Sequence, residues 1–242
     1  NRDPHGPVRD GPSPCGILEQ LAPLYGVDAV QSLGECSDLT KLARWARIVV
    51  AQGACMRACE HRHGCRVSNV TIRDGFVSIL VGDRPEESKY KRRPRRAVLH
   101  VWGSHLSAGY VLQVLLSRVH RVDGPSAVND DRILFAAGCG VNEPRRTKAE
   151  PWANKGRKPS ALARLRYARG LIGVERQGSL TRRSLRAGGA TDQFAVNAGV
   201  LFVKSQGGWK SDAYQIYNRP TDAQRAALAR VYAERRRLHN TF

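Results

Sequence analysis

The spacing of apolar residues changes twice between positions 38 and 122, and this change restricts the fold more than any other feature of the sequence. The stretch LTKLARWARIVVAQG, after Asp38, repeats apolar residues at helical spacing and ends at Gly53. The segments RVSNVTI and FVSILVG then flank Arg73-Asp74-Gly75, which is typical of a β-hairpin, and AVLHV (97–101) predicts a third strand. An amphipathic helix follows at 106–122. This part of the chain therefore predicts a small sheet between two helices.

Helices also predominate after residue 160. The sequence predicts them in ALARLRYARGLIG, LRAGGATDQFAVNAG, LFVKSQ and PTDAQRAALARVYAERRRL, the last with a capping box at Thr221 and Gln224. EESKYKRRPRR (86–96) and the basic, proline-broken segment 141–160 are expected to be loops. Residues 1–37 are expected to form a partly flexible N-terminal leader with one short helix near ILEQLAPLYG. We therefore predict a helix-rich α+β domain over 38–242, with a small antiparallel sheet of about three strands.

The net charge of the chain indicates which class of partner it binds. It has 40 Lys and Arg against 21 Asp and Glu, a formal net charge of +19. A surplus of this size indicates an anionic partner, either nucleic acid or a membrane surface. The basic residues are spread along the chain rather than gathered on one amphipathic helix, and no apolar run is long enough to span a bilayer, so nucleic acid is favoured. The six cysteines, in a chain too large to need disulfides, indicate a reducing, intracellular environment.

The segment CMRACEHRHGC (55–65) superficially resembles a zinc site, because it holds three cysteines and two histidines. Their spacing matches none of the usual paired-ligand patterns, so we expect no metal here and interpret the segment as a helix end with buried thiols. Arg57 and Glu60, within the same segment, are the more informative residues.

Two later stretches carry a family resemblance. RRSLRAGGAT (182–191) places three arginines before two glycines, and GGWKSDAYQIYNRP (207–220) places a tryptophan shortly before two tyrosines. Together they resemble the C-terminal half of the tyrosine recombinases, the phage-integrase family of DNA strand-exchange enzymes, and particularly versions found in eukaryotic mobile elements. The resemblance implies that Arg183 and Arg186 form the arginine box, that Trp209 follows it, and that Tyr217 is the nucleophile, with Tyr214 as the competing candidate.

The same resemblance implies functional residues earlier in the chain. It implies an arginine after the first helix with a glutamate three residues on, and Arg57 and Glu60 stand in that context. It also implies a lysine after the second strand, for which Lys89 is favoured over Lys91. Taken singly, each of these residues also fits a purely structural role. The other basic residues near these motifs are predicted to contact DNA: Lys91, Arg92, Arg93, Arg95, Arg96, Arg182 and Lys210.

The chemistry of DNA cleavage agrees with these residue types. A tyrosine with a pKa of roughly 10 needs cationic neighbours to attack as a phenolate at neutral pH. Arginine pairs bind phosphate oxygens in a planar, bidentate fashion, and a lysine in a cationic site is suited to protonate the leaving 5′ oxygen. A phosphotyrosine intermediate stores the energy of the cleaved bond, so neither a metal nor another cofactor is expected.

The resemblance implies that the chain is an enzyme that cleaves and rejoins DNA at specific sites. It would act on duplex DNA as a homo-oligomer, a tetramer. It would work in the nucleus of a eukaryote, or otherwise in the cytoplasm or nucleoid. Arg183 stands where the family usually has histidine, so a catalytically impaired DNA-binding relative is one alternative, and a basic RNA-binding structural protein is another. Residues 1–37 are too short for the N-terminal arm domain that the family uses to clamp DNA.

Overall fold

The structure is a computed structural model that describes residues 18–19, 21–57, 60–61, 65–82, 94–123, 134–135, 184–196, 198–217, 226 and 229–230. Its α-helices are α1 (Val30–Glu35), α2 (Leu39–Gly53), α3 (Ala108–Asp123), α4 (Ser184–Ala195) and α5 (Val200–Gly207). Its strands are β1 (Val70–Arg73), β2 (Phe76–Val81) and β3 (Arg95–His100). Short 3-10 helices span Ala22–Tyr25, Val67–Asn69 and Asp212–Tyr217.

Helix α2 forms the centre of the core. The Asp38 carboxylate caps its start by accepting a 3.0 Å hydrogen bond from the backbone N–H of Lys41. The apolar stripe that predicts this helix is buried along its whole length, at Leu42, Trp45, Ala46, Val49 and Val50. The helix ends at the predicted Gly53, and the chain then turns sharply because Cys55 adopts a left-handed backbone conformation with φ 48°.

The three strands form an antiparallel sheet in the order β1-β2-β3. Arg73 pairs with Phe76, so Asp74 and Gly75 form the predicted hairpin turn. One face of the sheet buries apolar residues against α2 and α3, among them Val77, Ile79, Val81, Ala97 and Leu99. The prediction of a helix-rich α+β domain with a small antiparallel sheet of about three strands is confirmed.

The third strand differs from its predicted bounds. It begins at Arg95 rather than residue 97, so Arg95 and Arg96 belong to β3 and not to the loop expected over 86–96. The prediction was wrong at these two residues because their charges and the preceding Pro94 resemble a loop, whereas pairing with Val81 and Leu80 of β2 extends the strand. Alternation along the strand then sends neighbouring side chains to opposite faces.

The segment expected to be a leader contributes to the core where the structure describes it. Leu18, Leu21, Val27 and Leu33 are buried in the main cluster. The ring of Tyr25 lies 5.7 Å from that of Trp45 in α2. The described residues between 18 and 33 therefore contribute to the same core as the helix that organises the domain.

Helices α4 and α5 enclose a second, smaller apolar cluster beside the end of α2. Its buried members are Cys55, Ala190, Val203, Trp209 and Tyr214. Helix α4 approaches α2 closely because residue 189 is glycine: a Cβ there would lie 1.9 Å from the backbone oxygen of Gln52. Helix α5 ends at Gly208, whose φ of 65° continues the chain toward Trp209.

Several predicted segments lie outside the described residues, namely the basic loop 141–160 and the helix in 161–173. Of the predicted last helix, residues 226, 229 and 230 are described, and they are helical. Within the described part of the chain, no helix has both the length and the apolar character needed to cross a membrane.

Candidate active site

Arg186 is the most deeply placed cation of the site. It projects from α4, and its residue is 5% exposed. Its two terminal nitrogens donate to the backbone oxygens of Cys55 and Gly207, at 2.6 and 2.8 Å, and its guanidinium carbon lies 4.0 Å from the ring centroid of Trp209. These two bonds use two of the five N–H groups of the guanidinium. The group is thus held flat against an aromatic ring between two chain segments.

The pKa of Arg186 reports the charge balance around it. Burial, together with the positive charges of Arg57 and Arg95, lowers this pKa to about 10, and Glu60 opposes the shift. Arg186 therefore remains protonated at neutral pH, in surroundings that hold more positive than negative charge. An anion placed beside it would be favoured electrostatically.

Arg57 and Glu60 form a compact ion pair in the turn after α2. One carboxylate oxygen of Glu60 accepts from the backbone N–H of Arg57 at 2.7 Å, and the other accepts from its guanidinium at 2.6 Å. Burial raises the pKa of the Glu60 carboxyl, but Arg95, this backbone hydrogen bond and the Arg57 and Arg186 guanidiniums outweigh it, so the pKa falls below its ordinary value. Glu60 is therefore ionised and orients Arg57.

Arg95 enters the same cluster from the first residue of β3. Its guanidinium donates to Glu60 at 3.0 Å, to the backbone oxygen of Ala54 at 3.2 Å, and to the backbone oxygen of Gln206. Its side chain is 10% exposed. Arg96, by contrast, is exposed on the other face of the sheet and donates to the Ser78 hydroxyl at 3.0 Å. The sequence predicts both residues as DNA contacts; in the structure both border the cavity described below, but Arg95 bonds Glu60 whereas Arg96 bonds Ser78.

Trp209 and Tyr214 belong to the aromatic cluster behind the cations. A Cβ on Gly207 would lie 1.9 Å from the Trp209 ring, so the glycine makes room for the tryptophan. Tyr214 is 6% exposed, with its ring 5.7 Å from that of Phe194 and 6.5 Å from that of Trp209. Tyr214 is thus a packed core aromatic. The backbone of Tyr217 ends the 3-10 helix Asp212–Tyr217, and its side chain lies outside the described part of the structure.

An open cavity of about 340 Å³ is bordered by the Arg57–Glu60 ion pair, Arg95 and Trp209. Five cationic residues line it, and Glu60 is the single acidic residue in its described lining; the cations are Arg57, Arg95, Arg96, Lys204 and Lys210. Lys204 pairs with the Asp212 carboxylate at 3.2 Å. The cavity therefore has the charge and the size to receive a phosphate group and the sugars bonded to it.

Most of the remaining predicted site residues lie outside the described part of the chain. Gly82 and Pro94, which both line it, are the described neighbours of the segment 83–93. That segment carries Lys89, Lys91, Arg92 and Arg93, which lie outside the described residues, as do Arg182 and Arg183 just before α4. Lys210 is exposed at the cavity.

Two contributors to the site were not predicted from the sequence. The Gln206 side chain bonds both the backbone N–H and the oxygen of Val98, at 3.1 and 2.8 Å, and thereby joins α5 to β3. Cys55 offers its carbonyl to Arg186, and burial raises the pKa of its thiol to about 12. Neither residue type carries a local signal for such a role, because the roles depend on contacts between distant parts of the chain.

Metal ligation has no support among the described residues, where no three His, Cys, Asp or Glu side chains are grouped around a common point. The described cysteines Cys36, Cys55 and Cys65 are in the reduced thiol form. Cys59 and His63 of the superficially zinc-like segment lie outside the described residues.

Comparison with known proteins adds information at the level of the fold. No protein-family model matches the sequence, and no curated protein is similar to it. Among solved structures, the XerH site-specific recombinase bound to palindromic difH substrate, in a post-cleavage complex, matches with a TM-score of 0.58 at 16% identity, covering 92% of this chain and 52% of that chain. A pre-cleavage complex of XerH with difH substrate matches with a TM-score of 0.53 at 15% identity, covering 91% and 52%.

The chain has the tyrosine-recombinase fold. It spans about half the length of these solved recombinase chains. The recombinase-like architecture implied by the sequence motifs is therefore confirmed. The comparisons do not bear on its likeness to versions from eukaryotic mobile elements.

Proposed function

We propose that this chain is a tyrosine-type, site-specific DNA recombinase or integrase, which cleaves and rejoins duplex DNA through a 3′-phosphotyrosine intermediate. The observation that carries the proposal is the convergence of Arg57, Arg95 and Arg186, with one carboxylate among them, beside a cavity lined by further cations. The solved structures that share the fold are recombinases bound to their DNA substrate.

The proposed reaction assigns each step to a residue of this chain. Arg57 and Arg186 stabilise the negative charge on the non-bridging oxygens of the scissile phosphate, and Arg183, three residues before Arg186 in the sequence, assists them. The Tyr217 phenol, acidified by these cations, loses its proton to solvent, and its oxygen bonds to phosphorus as the bond to the 5′ oxygen breaks. Lys89, or Lys91 in its place, protonates the departing 5′ oxygen. Attack by a 5′ hydroxyl reverses these steps and releases the tyrosine.

The electrostatic arrangement supports this chemistry without a cofactor. Two guanidinium groups fixed before the substrate arrives need no reorganisation when charge develops on the phosphate. Trp209 supports Arg186 through its ring face. The phosphotyrosine conserves the bond energy, so rejoining requires no nucleotide. We propose that the chain acts as a tetramer on DNA inside the cell, in the nucleus if the host is eukaryotic and otherwise in the cytoplasm or nucleoid.

A covalent-adduct assay tests the proposal. The full chain is incubated with nicked duplex suicide substrates drawn from a randomised pool, and protein–DNA adducts are separated under denaturing conditions. We expect wild type to form an adduct and Tyr217→Phe to form none while its affinity for the same duplex is retained. Tyr214→Phe is the matched control and keeps the adduct, because Tyr214 is packed between Phe194 and Trp209.

Three outcomes would change this proposal. An adduct that persists in Tyr217→Phe and disappears in Tyr214→Phe would move the nucleophile to Tyr214. Salt-sensitive DNA binding with no adduct on any substrate would indicate a DNA-binding relative that does not cleave. Tighter binding to structured RNA than to duplex DNA would favour an RNA-binding protein.

A further inference from the structure

Two arginines from different elements bridge the same two segments of the chain. Arg186, from α4, donates to the carbonyls of Cys55 and Gly207. Arg95, from β3, donates to the carbonyls of the preceding residues, Ala54 and Gln206. The bridged segments are the ends of α2 and α5, where helices leave carbonyl groups without intrahelical partners and carry partial negative charge. The two guanidiniums therefore hold two helix ends together side by side.

Arg95 makes one contact that Arg186 does not. Its guanidinium donates to Glu60 at 3.0 Å, and Glu60 in turn binds both the backbone and the guanidinium of Arg57. Arg95 is therefore the link between the bridged helix ends and the cation expected to bind phosphate. The tight fit depends on Gly208, since a Cβ there would lie 2.6 Å from the Arg95 side chain.

We propose that Arg95 is a positioning residue for phosphate binding: it fixes Glu60, and through Glu60 the guanidinium of Arg57, relative to Arg186 and Trp209. This inference rests on the proposed function of the same cavity. The role needs arginine, because the planar guanidinium reaches three acceptors in fixed directions, whereas a lysine ammonium is a point charge without that fork. Arg96, one residue later on the opposite face of the sheet, cannot take part.

Two substitutions separate a positioning role from simple electrostatics, with inorganic phosphate as the probe. Arg95→Lys preserves the charge, so electrostatics alone predicts unchanged phosphate affinity, whereas loss of positioning weakens it by roughly tenfold. Glu60→Gln removes a negative charge beside the cavity, so electrostatics alone predicts tighter binding, whereas positioning predicts weaker binding. Arg73→Lys, the same chemical change at an exposed residue of β1, is the matched control and leaves affinity within about twofold.

The measurement is phosphate titration of the full chain by calorimetry, with circular dichroism and thermal unfolding of each variant as the test of folding. The Arg95→Lys/Glu60→Gln double variant should bind phosphate no more weakly than the weaker single variant, because both changes break one chain of contacts. Additive losses would contradict the inference. If Arg95→Lys does not fold, the sign of the Glu60→Gln effect decides: tighter binding overturns the inference.

The adduct assay tests the positioning role of Arg95 separately from the proposed cleavage activity. We expect Arg95→Lys to bind duplex DNA within about threefold of wild type but to form the adduct more slowly, by on the order of a hundredfold, in a single turnover. Phosphate binding that is lost in Arg95→Lys, together with no adduct even for wild type, would refute cleavage and support positioning. Phosphate affinity equal to wild type in folded Arg95→Lys, or no phosphate binding by wild type, would overturn the inference.

Discussion

Asp192 shows how one buried carboxyl connects the two central helices. It lies on α4, and its Oδ2 accepts a 2.6 Å hydrogen bond from the side-chain nitrogen of Gln52 on α2. The side-chain oxygen of Gln52 is buried without a hydrogen-bond partner among the described residues. Burial raises the pKa of Asp192 to about 6, and the hydrogen bond from Gln52 only partly opposes this rise. A protonated Asp192 can donate to the unpaired Gln52 oxygen, which an ionised one cannot do.

We predict that Asp192→Asn stabilises the protein above pH 6. An acid whose folded pKa of about 6 exceeds its ordinary value of 3.8 binds more protons when folded, so the free energy of unfolding falls as pH rises between these values. An asparagine amide supplies both an acceptor and a donor to Gln52 at every pH, and removes this loss. Denaturant unfolding between pH 5 and 8 measures the difference, in a range where Glu60, with its lowered pKa, stays ionised.

Asp212→Asn is the control for this prediction. Asp212 is an exposed acid paired with Lys204, and its neutralisation should change stability by at most about 1 kcal/mol. Equal slopes of stability against pH in wild type and Asp192→Asn would show that Asp192 is ionised in the folded protein as it is in water.

For individual residues, the sequence predicts the candidate functional residues better than it predicts the contacts that each of them makes. The motif around Arg186 predicts a functional cation, and the structure places this residue beside Arg57 and Glu60. Arg95 and Arg96 are indistinguishable in a run of basic residues, and their roles differ only because a strand places them on opposite faces. That information depends on where the strand begins, which the charged run conceals.

The close packing of α4 on α2 depends on one residue that lacks a Cβ atom. Gly189 faces the backbone of α2, where a Cβ would lie 1.9 Å from the oxygen and 2.9 Å from the carbon of the Gln52 carbonyl. Backbone atoms cannot rotate away as a side chain can, so the two helices would have to separate. Because α4 carries Arg186 and α2 leads to Arg57, such a separation would also widen the cationic cluster.

We predict that Gly189→Ala destabilises the domain by roughly 3 kcal/mol, as expected for overpacking at a close helix contact. Gly34→Ala is the matched control: it lies in α1 with nothing within 4 Å of the added methyl, so it should stabilise by about 0.5–1 kcal/mol through helix propensity. Thermal and denaturant unfolding compare the two variants. A Gly189→Ala protein as stable as wild type would mean that the helices do not approach this closely.

Elements were predictable where the apolar period is strong. Helix α2 extends from Leu39 to the expected Gly53, and the two-residue hairpin turn occurs where Asp74-Gly75 indicates it. The partners of each element were not predictable, since Gly189 and Gln52 are far apart in sequence and only the packed structure brings them into contact. The resemblance to a known family supplied the arrangement that periodicity could not.

For the whole molecule, the net charge of +19 exceeds what one phosphate site requires. Binding along a duplex would neutralise many phosphates and release the counterions condensed on them, so affinity should fall steeply with salt. The cations around the cavity supply only part of this positive charge. The contribution of one cavity lysine to the salt dependence of DNA binding can be compared with that of a lysine elsewhere on the domain.

We predict that raising the salt concentration from 50 to 200 mM weakens duplex binding by about 10³- to 10⁵-fold, as expected for six to ten phosphate contacts. Lys210→Ala should lower the slope of log affinity against log salt by about one contact, because Lys210 is exposed at the cavity. Lys41→Ala removes an equally exposed lysine from the other end of α2, about 18 Å along the helix from Gly53, and should leave the slope unchanged. Equal slopes in both variants would place the DNA backbone away from the cavity, and a scissile phosphate could then not reach Arg57 and Arg186.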